Sequence, residues 1–182
     1  MEQTAARTRN ALKRPFGVRI VELSEAHPQA IYEALADLSS HAIWGAGQYG
    51  LHSLSAPNGP AIVGTEFEST GGDRMGPFKD RSVVTEARPG ELFELVTDAR
   101  QQPRKGDPIE WTVVHRYEIR SAGEGSEVTY VNSATRISRT PGMLRLLNSR
   151  VLSGVLHKVA GSAARAGVRN LIAYVEGSGG TR

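Results

Sequence analysis

His115 and Tyr117 stand two residues apart in Ile109–Arg120, a stretch where apolar and polar residues alternate. A period of two puts Ile109, Trp111, Val113, His115, Tyr117 and Ile119 on one face of a strand. Glu110, Thr112, Val114, Arg116, Glu118 and Arg120 take the other. An imidazole and a phenol on an otherwise apolar face can give and accept hydrogen bonds with a ligand carbonyl or phenol, and the imidazole can move a proton. The plainer alternative bonds His115 to a backbone carbonyl and sends the Tyr117 hydroxyl to the rim. Arg81 shares the parity of Val83, Thr85 and Ala87, which predicts an inward guanidinium suited to a carboxylate, phosphate or enolate. An ion pair near the sheet edge is its alternative. These three are the candidate catalytic groups.

Other constellations carry less chemistry. Gly45-Ala-Gly47-Gln-Tyr-Gly50 has the G-x-G-x-x-G spacing, and Glu66 lies where a ribose ligand would. A dinucleotide site needs that string after a strand and at the start of a helix; here it follows a helical pattern and leads into a strand-like one. The five histidines (His27, His41, His52, His115, His157) show no i, i+4 pair, so no metal site is expected. Asp37, Ser40 and His41 are close in sequence but lack the G-x-S-x-G elbow of a hydrolase. With no cysteine, disulfides, thiol catalysis and sulfur-ligated zinc are excluded, and the expected compartment is the cytoplasm. No cofactor is expected.

The elements that must position these groups follow from patterning. The chain has 182 residues, 39% hydrophobic and 23% charged, enough for one core. No apolar run approaches the length of a membrane span. The net charge is +3, with no basic stripe interleaved with aromatics, so nucleic-acid binding is not expected. Residues 1–15 predict a mobile basic arm, 16–176 one domain and 177–182 a frayed tail. Phe16–Leu23 predicts a strand, and Gln29–Leu38 a helix with Pro28 at its first turn. Six strand-like pieces follow: Leu51–Ala56, Ala61–Ser69, Arg81–Ala87, Leu92–Asp98, Ile109–Arg120 and Glu127–Ile137. From Thr140 to Glu176 a long helix carries the apolar stripe Met143, Leu147, Val151, Val155, Val159, Ala163, Leu171 and Val175. Gly154, Gly161 and Gly167 weaken it, and a break near Gly161 is one outcome. The order strand, short helix, antiparallel meander, long helix is α+β.

Several residues carry a resemblance. The first strand, Ala26-His-Pro28, Ile31-Tyr32, Leu35, Asp37 and Trp44 form its opening pattern. Gly64-Thr-Glu-Phe67, Val84-Thr-Glu-Ala-Arg-Pro-Gly before Leu92, the Trp111–Ile119 strand with Gly125 and Val128, and the terminal helix continue it. Over residues 16–176 the chain resembles the START-like, or SRPBCC, superfamily, and in particular its polyketide cyclase/dehydrase branch. That resemblance implies a helix-grip fold: a curved antiparallel sheet of six to seven strands wrapped around a long C-terminal helix, with a ligand cavity between them. Members that hold iron do so in added regions, which this chain lacks.

Three functions follow as expectations. One is a carrier or sensor of a small, largely apolar ligand (a lipid, polyketide or aromatic molecule). Another is a polyketide cyclase or dehydratase working by positioning and general acid–base catalysis through His115, Tyr117 and Arg81. The last is a cochaperone-like interaction module. The expected ligand-binding residues are Trp44, Phe67, Trp111, Val113, His115 and Tyr117, faced by Leu147 and Val151 on the long helix. The oligomeric state is open between monomer and homodimer.

Overall fold

The computed structural model describes residues 16–45, 50–72, 76–138 and 150–179, and within the last of these the side chains of 161–177. Strand β1 (Phe16–Ser24) leads to helix α1 (Pro28–Ala36). His27 caps that helix, its Nδ1 accepting from the Gln29 amide at 3.3 Å, and Pro28 takes the first helical position, where a missing N–H costs nothing. Ile31, Tyr32, Leu35 and Ala36 are its buried face. Asp37 ends it, accepting from the Ser39 amide (3.1 Å) and hydroxyl (2.6 Å), which starts a 3₁₀ turn over Leu38–Ser40 and then the one-turn helix α2 (His41–Trp44). Trp44 is therefore helical and buried.

Six strands follow: β2 (Leu51–Ser55), β3 (Glu66–Gly72), β4 (Pro77–Arg88), β5 (Leu92–Gln101), β6 (Ile109–Ala122) and β7 (Gly125–Ile137). All neighbours are antiparallel, in the order β1-β7-β6-β5-β4-β3-β2. The chain's first strand thus pairs with its last, Ile20 opposite Tyr130. The strand expected from Ala61 begins only at Glu66. Residues 61–65 form a turn instead, with the Ala61 amide bonded to the Ala36 carbonyl (2.8 Å) and the Thr65 amide to that of Ile62 (2.9 Å). Gly64, at φ +87°, supplies the left-handed conformation this turn requires.

Helix α3 (Arg150–Gly179) is continuous through Gly161 and extends past residue 177, where the sequence predicts fraying. It packs against β1, β7 and α1. Its buried side chains are Ala164, Val168, Leu171, Ile172 and Val175, spaced at 3.6 residues per turn. Leu171 and Val175 are buried as the predicted stripe has them, but Ala163 is exposed and Ala164 takes its place, because a walk of strict fours drifts off a face that turns every 3.6 residues. Met143 and the side chains of Val155 and Val159 lie outside the described residues. Ser24 Oγ and the Glu25 amide both donate to Glu176 Oε1, at 2.8 and 2.9 Å. Arg165 and Arg169 reach Glu22 at 3.0 and 3.2 Å. No helix among the described residues is long and apolar enough to cross a membrane.

The corrected register has a direct check. Ala164→Leu inserts three heavy atoms into a closed contact and is expected to cost about 1–3 kcal/mol, while Ala163→Leu is expected to stay within about 0.5 kcal/mol of the parent. Denaturant unfolding of both variants measures this; equal effects would contradict the assigned face.

Candidate functional site

Between the sheet's concave face and α2 lies a cavity of about 320 Å³. Its floor is β5, where Leu95, Thr97, Ala99 and Gln101 follow one another at every second residue. Strand β4 adds Phe78, Asp80 and Ser82, β3 adds Phe67 and Ser69, and α2 brings His41 and Trp44. Trp111, His115 and Tyr117 of β6 complete the wall, as their shared parity predicts.

The sequence-derived candidates divide. Trp44, Phe67, Trp111, His115 and Tyr117 border the cavity together. Val113, between two lining residues, is half-buried but does not border it; the ladder to β7 slips register between Thr112 and Val113. Arg81 is corrected: it lies on the outer face, 67% exposed, with its guanidinium 2.6 Å from Glu66. The inward residues of β4 are Phe78, Asp80, Ser82 and Val84, and the register shift between Val84 and Glu86 resets parity. Ala87 therefore does not report the face of Arg81, and Val83, which shares that face, lies on the outer side. Leu147 and the side chain of Val151 lie outside the described residues.

Among the described residues His115 bonds to no backbone carbonyl. Its Nδ1 is 2.8 Å from the Tyr130 hydroxyl and 3.3 Å from Asn132 Nδ2. The Asn132 amide can only donate, and it also donates to the Tyr130 oxygen at 3.0 Å. A ring nitrogen faced by the donor Asn132 Nδ2 is an acceptor, so the ring proton sits on Nε2. Burial lowers this imidazole from 6.5 to about 4, with His41 adding a smaller push in the same direction. It is neutral near pH 7 and serves as a hydrogen-bond donor. His41 is likewise held at about 4 by burial, against the opposing effect of the Leu35 carbonyl 2.8 Å from its Nε2. Its ring lies 4.6 Å from that of Trp44, whose Nε1 donates to Ser40 Oγ at 3.1 Å. Ser40 in turn donates to the Ala34 and Asp37 carbonyls. Asp37, Ser40 and His41 are thus tied into helix ends and form no relay.

Sequence reasoning missed Asp80. In the string Lys79-Asp80-Arg81 it resembles a solvated charge run, yet the parity of Phe78, Ser82 and Val84 places it inward. Burial raises its carboxyl from 3.8 to about 6, and its Oδ1 is closed off with no hydrogen-bond partner among the described residues. Nearby, Ser82 and Thr97 pair their hydroxyls at 2.9 Å. Among the described residues no group of His, Asp or Glu is arranged to hold a metal.

In sequence, the chain matches no family profile and no curated protein. Solved structures match its shape. A protein of unknown function from Staphylococcus aureus aligns at TM-score 0.66 and 12% identity, over 92% of this chain and 98% of its own. An uncharacterised protein from Rhizobium leguminosarum aligns at 0.63 and 11%, over 90% and 95%. The structure of Ara h 8.0201 aligns at 0.56 and 13%, over 90% and 99%. Likeness at such identity concerns the fold alone. That fold is the helix grip, a seven-stranded curved antiparallel sheet with a C-terminal helix.

The ionisable groups of the cavity shift stability in opposite senses. Asp80 has a raised pKa, so its burden is absent below about pH 4 and grows as pH rises through 6. The histidines have lowered values, so their support is complete above 6.5 and lost as pH falls toward 4. Asp80→Asn is therefore expected to be the more stable protein near pH 7.5, by roughly 2 kcal/mol after allowing for partial solvation, with the two converging near pH 4. Unfolding curves across that range test it; a gain independent of pH would remove the carboxylate charge as its cause.

Proposed function

We propose that this chain binds a small, largely apolar molecule in the cavity and holds it as a carrier or sensor. The observation that carries this reading is a space of about 320 Å³ walled chiefly by Trp44, Phe67, Phe78, Leu95 and Trp111. That volume is at the lower end of small-molecule pockets, which are mostly apolar with a few polar groups that fix orientation. Here the orienting groups include the Nε2–H of a neutral His115 and the polar side chains of β4 and β5. A ligand carbonyl or phenol oxygen would accept from His115, while its ring or chain lies against the indoles.

Membership of the START-like/SRPBCC superfamily is supported by the sequence pattern together with the helix-grip architecture. The cyclase or dehydratase alternative depends on proton movement. His115, held at about 4, is a poor base near neutrality, and Arg81 is turned away. Both features favour holding over chemistry through those two residues.

Binding of neutral N-phenyl-naphthylamine, read by its fluorescence, tests the proposal. The parent chain is expected to bind it. Ala99→Trp, which places an indole on the cavity floor, is expected to weaken binding by at least about tenfold while leaving the circular dichroism spectrum unchanged. Should the indole disturb folding, Ser69→Phe fills the space from β3. Undiminished binding in a folded, filled variant would place the probe elsewhere and defeat the reading.

A further inference from the structure

We propose that the cavity takes an apolar ligand whose polar end is a protonated amine, and that Asp80 is the residue that receives it. This rests on the reading of the cavity as a site for a small apolar molecule and adds the charge of that molecule.

Asp80 borders the cavity at a place where the described residues supply no positive charge. Its strand partners are Ser69 of β3 and Ala99 of β5, a hydroxyl and a methyl. Its sequence neighbours are cationic but turned outward: Lys79 is 2.9 Å from Glu68, and Arg81 is 2.6 Å from Glu66. From α2 and β6 the groups at the cavity that could carry positive charge are His41 and His115, both neutral near pH 7, and β6 also brings the Tyr117 phenol. No described residue bordering the cavity is Lys or Arg.

The consequence is a carboxylate at an apolar wall, with one oxygen closed off and unpartnered. At about 6 its pKa still leaves it ionised above neutrality. An unpaired charge in such surroundings is costly, and a bound cation offsets that cost directly. A primary ammonium brings three donors to the carboxylate. The indoles of Trp44 and Trp111 add cation–π attraction for the same sign of charge. A carboxylate-bearing ligand meets like-charge repulsion, and a neutral alcohol gains only an ordinary hydrogen bond.

Three probes sharing one ring separate these cases: naphthylmethylamine, naphthylmethanol and naphthoate, each titrated calorimetrically into the full chain. Near pH 7.5 the amine is expected to bind about tenfold more tightly than the alcohol, with naphthoate weakest. In Asp80→Asn the amine and alcohol are expected to agree within about twofold. The unaltered chain offers a second test. Near pH 5 Asp80 is mostly protonated while His41 and His115 remain mostly neutral, so the amine preference is expected to shrink there as well. Equal affinity for amine and alcohol near pH 7.5, or an amine preference that survives in Asp80→Asn, overturns the inference. If N-phenyl-naphthylamine still binds in that case, only the charge assignment has failed. If neither it nor any of the three probes binds, the cavity is not an apolar ligand site, and both proposals fall.

Discussion

The sheet is wider than any one helix can cover, and the rest of the architecture follows from that mismatch. Seven strands span about 29 Å, six spacings of about 4.8 Å, whereas a helix with its side chains is about 10 Å across. Helix α3 sits against β1 and β7, α1 against β5 and β6, and α2 against β2. Under α3 and α1 the inward residues are large or close-packed: Phe93, Tyr130, Val128 and Ile119. Beyond that cover, β3 to β5 carry Ser69, Ser82, Thr97 and Ala99, which are too small to fill the span. The cavity is what remains.

One physical cause then governs the ionisable groups there. Removal from water penalises charge of either sign, which lowers both histidines and raises the aspartate. The opposite face of the same strands behaves differently. Arg116 on β6 gathers Glu94 at 2.9 Å, Glu118 at 3.0 Å and Glu86 at 3.2 Å, a paired and partly solvated network. Among the described residues the sheet thus divides its charges, compensated outside and uncompensated within. His115 is kept in one tautomer by Tyr130 and Asn132 of the neighbouring strand, so its donor is set before any ligand arrives.

Much of this was legible in the residues. Alternation over Ile109–Arg120 is long and clean enough to place Trp111, His115 and Tyr117 on one wall; the order of elements gives an α+β class, and the helix grip enters only with the family resemblance. The failures share a physical form: a local pattern read without its neighbours. The inward alternative for Arg81 fails, and its ion-pair alternative holds, because Val83 is a β-branched residue on the outer surface and a register slip follows Val84. Asp80 was hidden by the charges flanking it, since a face is defined across strands while a sequence shows only one. Val113 has the right parity, yet its ladder slips at that point. The Tyr130–His115–Asn132 network joins strands through a register that only the folded sheet displays.

The pairing of β1 with β7 has a consequence for how the chain comes into being. Residues 16–24 emerge from the ribosome more than a hundred positions before their ladder partners at 126–134. Until then β1 is a strand without a sheet, and α1 lacks the helix it will pack against. The meander from β2 to β7 closes by successive hairpins of near neighbours, which are quick to form. The outer strand and the C-terminal helix hold each other through Glu22, Ser24 and Glu176, contacts that need segments more than a hundred residues apart. Assembly is therefore local in its middle and global at its ends, and the nascent chain must keep its first segment from unproductive contacts until its last one is made.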